Sequence, residues 1–547
     1  MQQFVSALQI TSVADAVDLL SALFVFAIGA GVLLVFALYV IDRTQTKHAI
    51  RRNYPVIGRL RYLMEDLGKY FRQYFFADDR AELPFPRAQR AWVYRAAKGV
   101  DTTVPFGSTR SLAHVGTKIF VNCPFPQLGD ATEPPGNVTV GPYCRHPYTT
   151  DKYFHISGMS YGAISKPAVQ ALSRGAKQAG IWMNTGEGAL SPFHTEGGAD
   201  IVFQIGTAKY GVRNDDGSLN DGKLRAIAEL DQVKMFEIKL SQGAKPGKGG
   251  ILPGEKVTHE IARIRGIKQG KDSISPNRHP EINSVGELLD FIARVREVTG
   301  KPVGIKMVLG AYGWLSGLCE EINRRGQESA PDFITLDSAD GGTGAAPQPL
   351  IDYMGLQIQE SLPTLVDALL VYGLRDRIKV VASGKLTTPS GVAWALCAGA
   401  DFVTSARGFM FAVGCIQSQS CHTNKCPTGV ATQDPKRQQA LDVPDKATRV
   451  ANFHRNTIKS LVEFTAAAGL SHPRDFKPEH FYLRAGLREI LPASAALTWL
   501  KPGALLDPTH DIAGYSTYWA MADAGSFEPA KSLEVAKAQY HHHLGHH

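Results

Sequence analysis

"IKVVASGKLTTPSGVAWALCAGADFVTSARGF", residues 378–409, holds one full turn of the pattern that organises this chain. "IKVVAS" (378–383) is short, apolar and β-branched, and it stops at a glycine, as a buried strand does. "PSGVAWALCAG" follows, with Pro at its start and Gly at its end, the punctuation of a helix. "DFVTS" (401–405) is a second short strand, ending in Arg407 and Gly408. Working outward, the same rhythm appears in "YFHIS" (153–157), "IWMN" (181–184), "IVFQI" (201–205), "MFEIKL" (235–240), "VGIKMV" (303–308) and "FITLD" (333–337). Amphipathic stretches such as "KPAVQALSRGAKQAG" and "SVGELLDFIARVREVTG" fit between them. Eight strand–helix units predict an α/β fold, a closed (β/α)8 TIM barrel, with an open doubly wound sheet as the alternative.

In such a barrel the chemistry gathers at the C-terminal ends of the strands. The polar residues fall there: Ser157, Gly158 and Met159; Asn184 to Glu187; Gln204; Lys239 to Lys245; Lys306; "DSADGGTGAAP" (337–347) with Asp340, Gly341 and Gly342; Ser383, Gly384 and Lys385; and Arg407 with Gly408. Gly384 and Gly408 stand where main-chain N–H groups after the seventh and eighth strands could face an anion, the usual phosphate site of a barrel. No GxGxxG fingerprint lies downstream of residue 41, so a dinucleotide site of the doubly wound type has no support. A phosphate site with Lys306 at a strand end suggests FMN; the competing role for Lys306 is a salt bridge inside the barrel. "KLSQGAKPGKGGILPG" (239–254) is too long for a tight turn and reads as a binding loop or lid, or else as a flexible basic loop.

"GCIQSQSCHTNKCP" (414–427) follows the eighth strand and carries Cys415, Cys421 and Cys426. Three thiolates on one compact loop suit a 3Fe-4S cluster, whose empty corner needs no fourth cysteine. Zinc held by the three with His422 is the rival by ligand chemistry. A redox cluster beside a flavin favours the first.

The 547 residues are 44% hydrophobic and 20% charged, a composition that buries a core and excludes a disordered chain. Seven cysteines in a reducing compartment do not make a disulfide framework. Residues 19–41 hold no charge over 23 positions and would span about 35 Å as a helix, enough to cross a bilayer. Asp15 and Asp18 precede the run, while Arg43, Lys47, Arg51 and Arg52 follow it. That asymmetry predicts a single-pass anchor in the cell inner (plasma) membrane, with the catalytic domain cytoplasmic. A secretory signal would need a basic leader, and the first basic residue is Arg43. Between 43 and 100 there are 13 Lys and Arg against 5 Asp and Glu, a surplus equal to the formal net charge of +8. This basic collar suits anionic membrane lipid, and no recognition motif for nucleic acid accompanies it.

The expected organisation is an N-terminal segment (1–42), a basic helical lead-in with an irregular region (43–150), the barrel with its cysteine loop (151–440) and a helical C-terminal extension (441–547). The tail "HHHLGHH" (541–547) receives no function.

"FHISGMSYGAIS", "NTGEGAL", "EIKLSQGAKPGKGGILPG", "SISPNRHPEINSVGELL", "DSADGGTGAAP" and "GCIQSQSCHTNKCPTGVATQD" together resemble the FMN-binding synthase domain of glutamate synthase, over about 150–440. The resemblance implies a (β/α)8 barrel with FMN and a 3Fe-4S cluster, forming L-glutamate from 2-oxoglutarate and ammonia through 2-iminoglutarate. It implies that Cys415, Cys421 and Cys426 ligate the cluster and that Ser157, Met159, Gln204, Lys306, Gly341, Gly342, Gly384 and Gly408 surround FMN. Gly158, Asp340 and Arg407 join that cradle from the same turns. Glu187, Lys245 and Arg265 match positions facing the 2-oxoacid, the two cations for its carboxylates and Glu187 to orient or protonate the imine.

Two positions depart from the family pattern "AKPGEGGQLPG": Lys248 replaces an acid and Ile251 a glutamine. With no cysteine before Cys123, glutamine hydrolysis is not expected of this chain. Ammonia then comes from elsewhere, and electrons from ferredoxin or another electron-transfer protein. An alternative keeps both cofactors: an amino-acid or N-alkyl-amino-acid dehydrogenase passing electrons through the cluster to a membrane carrier.

Overall fold

The computed structural model describes residues 13–128, 136–310, 313–496, 501–504 and 506. The tail at 541–547 and the extension beyond 506 lie outside the described residues. Two compact units divide the chain, Met1–Arg87 and Ala88–His547.

In the first unit, α1 (Val13–Thr44) is long and apolar enough to cross a membrane and is not buried against the protein. A short helical turn at Ala49–Asn53 leads to α2 (Gly58–Phe71), whose last turn runs on as a π-helix over Arg72–Phe76.

The second unit holds a closed barrel of eight parallel strands. They are β1 (Phe154–Ile156), β2 (Met183–Asn184), β3 (Ile201–Ile205), β4 (Val233–Lys239), β5 (Val303–Val308), β6 (Phe333–Asp337), β7 (Lys379–Ser383) and β8 (Phe402–Ser405). Each coincides with one of the eight runs read from sequence, because strands buried on both faces must be short, apolar and β-branched. β8 pairs with β1, Thr404 opposite His155, and this closes the ring.

Helices complete the alternation: α3 (Lys166–Ala179), α4 (Asp221–Ala228), α5 (His259–Arg265), α6 (Val285–Thr299), α7 (Gly313–Arg325), α8 (Ile358–Val371), α9 (Pro389–Cys397) and α10 (Arg407–Ala412). Ser165 caps α3 by accepting the Ala168 N–H, and Gly180 ends it in the left-handed region at φ 68°. Ser284 and Gly300 (φ 68°) bound α6 in the same way.

The N-terminal end of the barrel is plugged. An antiparallel pair, Val138–Val140 with Tyr148–Thr150, brings Val140 and Tyr148 against Trp182, Val202, Met235, Phe333, Val381 and Phe402. On the outside, α11 (Val443–Ala467) lies on α3 so closely that a Cβ on Gly175 would sit 2.5 Å from Val450 Cβ. Its Phe453 meets the Phe154 and Phe409 rings at 5.9 and 5.0 Å. Beyond it, Phe481–Arg484 and Ile490–Pro492 build a three-stranded sheet with Lys118–Phe120.

Candidate active site

At the C-terminal end the strands open into a cleft of two halves that meet at Gly158, Lys239, Gln242, Gly342 and Arg407. One half, about 650 Å³, is walled by the turns after β1, β6, β7 and β8. Its shape depends on missing side chains. A Cβ on Gly384, at φ 145°, would collide with Ser338, and one on Gly342 would collide with the Arg407 side chain. Arg407 crosses there to donate from Nη2 to the Thr343 carbonyl at 2.6 Å. Lys306, 5% exposed, stands at the floor with Nζ 3.3 Å from Asp337 Oδ1 and 3.4 Å from Ser157 Oγ. Burial opposes its charge, but Asp337, Glu237 and Glu187 outweigh burial and hold the ammonium above the ordinary lysine range. Thr387 lines this half, and its buried hydroxyl has no partner among the described residues.

The other half, about 970 Å³, lies under the long loop after β4. That loop is pinned by an antiparallel ladder, Ile251 with Ile274 and Leu252 with Ser273, so it is an ordered wall rather than a free basic arm. Glu187 fits into a niche made by two glycines: a Cβ on Gly206 would lie 2.6 Å from Glu187 Cβ, and one on Gly250 2.5 Å from its Oε1. Gln242 Nε2 donates to Glu187 Oε2 at 2.6 Å, and Lys239 Nζ stands 4.0 Å from the same oxygen. Burial alone would raise the Glu187 pKa; Lys239, Gln242, Arg265 and Lys245 reverse this and keep the carboxyl below its usual range. Lys245 is 3% exposed, donates to the Ala345 carbonyl at 2.5 Å, and is pushed down mainly by burial. Arg265 donates to Ser273 Oγ at 3.3 Å and to the Tyr161 carbonyl at 3.0 Å, while its buried Nε has no partner among the described residues.

Below both halves the floor is a polar network around Glu237 on β4. Asn184 and Gln204 donate to its Oε1 at 2.8 and 2.6 Å, and Thr335 Oγ1 to its Oε2 at 2.6 Å. A buried carboxylate with three donors is satisfied and rigid.

The cysteine loop closes one side. Cys421 reaches the cleft, with Arg407 Nη1 4.0 Å from its sulfur. Cys415 and Cys426 are buried behind it, and all three thiols are free. Burial pushes the Cys415 thiol up to about 11 against the pull of Arg407. Lys256 Nζ ties the loop to the rest of the mouth, donating to the carbonyls of Ala163, Cys421 and Ala431 at 2.7, 3.1 and 3.1 Å. Among the described residues no three His, Cys, Asp or Glu side chains are grouped to hold a metal ion, which favours neither zinc nor the cluster, and His422 is exposed. A cuboidal cluster binds each thiolate to a different iron and so accepts sulfurs farther apart than the ligands of one ion.

Comparison with known proteins decides the family. Residues 132–471 match the conserved region in glutamate synthase. The chain belongs to the glutamate synthase family. A glutamate synthase large subunit-like protein, YerD, of Bacillus subtilis (strain 168) is 42% identical over 505 residues, covering 85% of this chain and 95% of that protein. The archaeal-type glutamate synthase [NADPH] of Thermotoga neapolitana is 34% identical over 336 residues, 61% of this chain and 62% of its own length. The archaeal glutamate synthase [NADPH] of Methanocaldococcus jannaschii is 34% identical over 339 residues, with the same two coverages. This chain thus matches under two thirds of the length of both those synthases. The family is one of oxidoreductases acting on the CH–NH2 group.

Set against these glutamate synthase relatives, the structure gathers Ser157, Gly158, Met159, Gln204, Lys306, Gly341, Gly342, Gly384 and Arg407 in the one cleft, together with Glu187, Lys245 and Arg265. Two residues stand back from it. Asp340 pairs with Lys385 at 2.7 Å, and the Gly408 N–H is taken by Ser405 Oγ at 3.2 Å, with no room for a Cβ before the Phe453 ring. Ile251 lines the cleft, while Lys248 is exposed. Gln242 and Glu237 were not singled out from sequence. A lone acid in the apolar run "MFEIKL" is the signal that could have found Glu237.

Proposed function

We propose that this chain is a membrane-anchored FMN and iron–sulfur oxidoreductase that makes L-glutamate, or a close amino acid, from a 2-oxoacid and ammonia. The observation that carries the reading is the cleft itself, where two buried cations and a carboxylate kept ionised share one space with glycine-lined turns and Cys421.

The orphaned Thr387 hydroxyl and the turns at Gly342 and Gly384 suit a phosphate, so Ser157, Gly158, Met159, Gln204, Lys306, Gly341, Gly342, Gly384 and Arg407 would hold FMN. When bound, FMN would supply the hydride. Cys415, Cys421 and Cys426 would hold the 3Fe-4S cluster; the positive charge of Arg407 and Lys256 beside them suits an anionic thiolate centre. Lys245 and Arg265 would bind the two carboxylates of the oxoacid, the free Nε of Arg265 leaving a donor to spare. Glu187, fixed by Gln242 and held ionised, would orient the imine by accepting a hydrogen bond from its N–H; ionised, it has no proton of its own to give. Ammonia would arrive from elsewhere and electrons from ferredoxin or another donor protein. The span α1 would seat the enzyme on the cytoplasmic face of the inner membrane, with the basic stretch after it against anionic lipid.

Purified protein should carry flavin and iron–sulfur absorbance, and dithionite-reduced flavin should reoxidise when 2-oxoglutarate and ammonium are added together. Iron-free protein, or flavin indifferent to that pair, overturns the proposal. Ile251 in the cleft favours a second reading, oxidation of an amino acid or N-alkyl amino acid with electrons leaving toward a membrane carrier. Anaerobic bleaching of the flavin by such an amine, without response to oxoacid and ammonium, would select it.

A further inference from the structure

Residues 60–75 carry an apolar stripe that none of the described residues covers. Along α2 and its π-helical end, Leu60, Leu63, Met64, Leu67, Phe71 and Phe75 recur at helical spacing, 37–74% exposed. Tyr70 and Tyr74 flank the stripe, each 48% exposed. The opposite side is charged: Arg61 pairs with Glu65 and Lys69 with Asp66. From 43 to 76 there are eight basic residues and two acidic ones. A stripe of leucine and aromatic side chains on a basic helix matches the boundary between headgroups and acyl chains of an anionic bilayer.

The join to α1 is rigid. Asp42, wholly buried although it ends an otherwise exposed apolar helix, accepts from Arg59 Nε and Nη2, both at 2.8 Å, and from the Val56 N–H at 3.0 Å. That last bond holds Val56 at φ 68°, a conformation a β-branched residue seldom adopts. Gly58 is packed so tightly that a Cβ would meet the Ile50 carbonyl at 2.9 Å. Arg51 stacks over Tyr62 at 4.7 Å, which turns the Tyr62 side of α2 inward and the apolar stripe outward.

We infer that α2 lies in the plane of an anionic membrane surface with its Leu60-to-Phe75 stripe among the acyl chains, and that the Asp42–Arg59 clamp sets its angle to the span. The inference rests on the reading of α1 as a membrane anchor. The clamp makes the anchor an L-shaped foot: one arm crosses the bilayer and the other rests in it.

The test uses the full chain reconstituted in vesicles of phosphatidylcholine with a minor share of phosphatidylglycerol, some lipids carrying bromine near the headgroup end of the acyl chain. Flotation after a carbonate wash is read first. With a floating protein, Leu67→Trp should lose about twofold or more of its added fluorescence to the bromines, and Lys69→Trp should not. Adding Asp42→Asn to Leu67→Trp should weaken the quenching while flotation persists. A chain that does not float overturns the anchor and this inference together. A floating chain whose Leu67→Trp is unquenched, whether wet or covered by another copy, overturns this inference alone, as does equal quenching at both positions.

Discussion

Four residues lie between Trp182 and Glu187, and four between Phe402 and Arg407, yet each pair spans the change from a sealed end to an open one. At the sealed end Trp182 and Phe402 meet edge to face at 5.1 Å, and the buried His155 ring stacks on Trp182. At the open end the same strands deliver Glu187 into a niche of glycines and Arg407 across Gly342. Large apolar side chains hold the barrel together where no ligand could enter. Glycine and buried charge take over where one must. The two ends therefore answer differently to substitution: loss at the first should cost stability, and loss at the second should cost chemistry.

The largest effect is expected at the sealed end. Trp182→Ala should lower unfolding free energy by about 3–5 kcal/mol, read by chemical denaturation, while the protein that stays folded keeps its turnover per flavin. An equal loss of turnover would show that the two ends are not separable. Next comes Glu187→Gln, which removes the charge that Lys239, Lys245 and Arg265 surround. Oxoacid-dependent flavin reoxidation should fall by about 100- to 1,000-fold with flavin still bound.

Acid should attack the packed protein rather than the cleft. Burial holds His194, His279 and His454 down at about 4 and His155 well below its ordinary value. The unfolded chain binds protons at these rings near the ordinary histidine pKa of about 6.5, whereas the folded chain refuses them until about 4. Stability is therefore full above that ordinary value and falls as pH drops toward the folded one. Each histidine contributes up to about 1.4 kcal/mol per pH unit. Melting temperatures from pH 7 to pH 5 should fall steadily, and His454→Gln should flatten the decline. The smallest effect concerns the acid bound: if it is 2-oxoglutarate, Ile251→Gln should lower its KM by about fivefold, the worth of one hydrogen bond. An unchanged KM would show that Ile251 does not touch the substrate.

The strands were legible because each must be buried on both faces, and "IVFQI" and "VGIKMV" match β3 and β5 residue for residue. Gly342 and Gly384 were legible as turn glycines in register. Gly408 looked the same in sequence, but what crowds it is the Phe453 ring, forty-five residues downstream, and no local pattern reports a contact at that distance. Gln242 and Glu237 were hidden for a related reason: their importance lies in which carboxylate or amide they meet across the barrel, a property of register rather than of spacing. Lys256 is the extreme case, one ammonium among many in the sequence, distinguished by three carbonyls from two distant segments.

The tight seat of α11 on α3 bears on anyone wishing to cut the catalytic part free. A truncation after residue 440 would look safe from the rhythm of strands, but it would strip Val450 from Gly175 and Phe453 from Phe154 and Phe409. The first and last staves of the barrel would then face water together, at the very seam where the cylinder is sealed. A workable excision has to keep the strap that binds that seam, and so must run at least through Ala467.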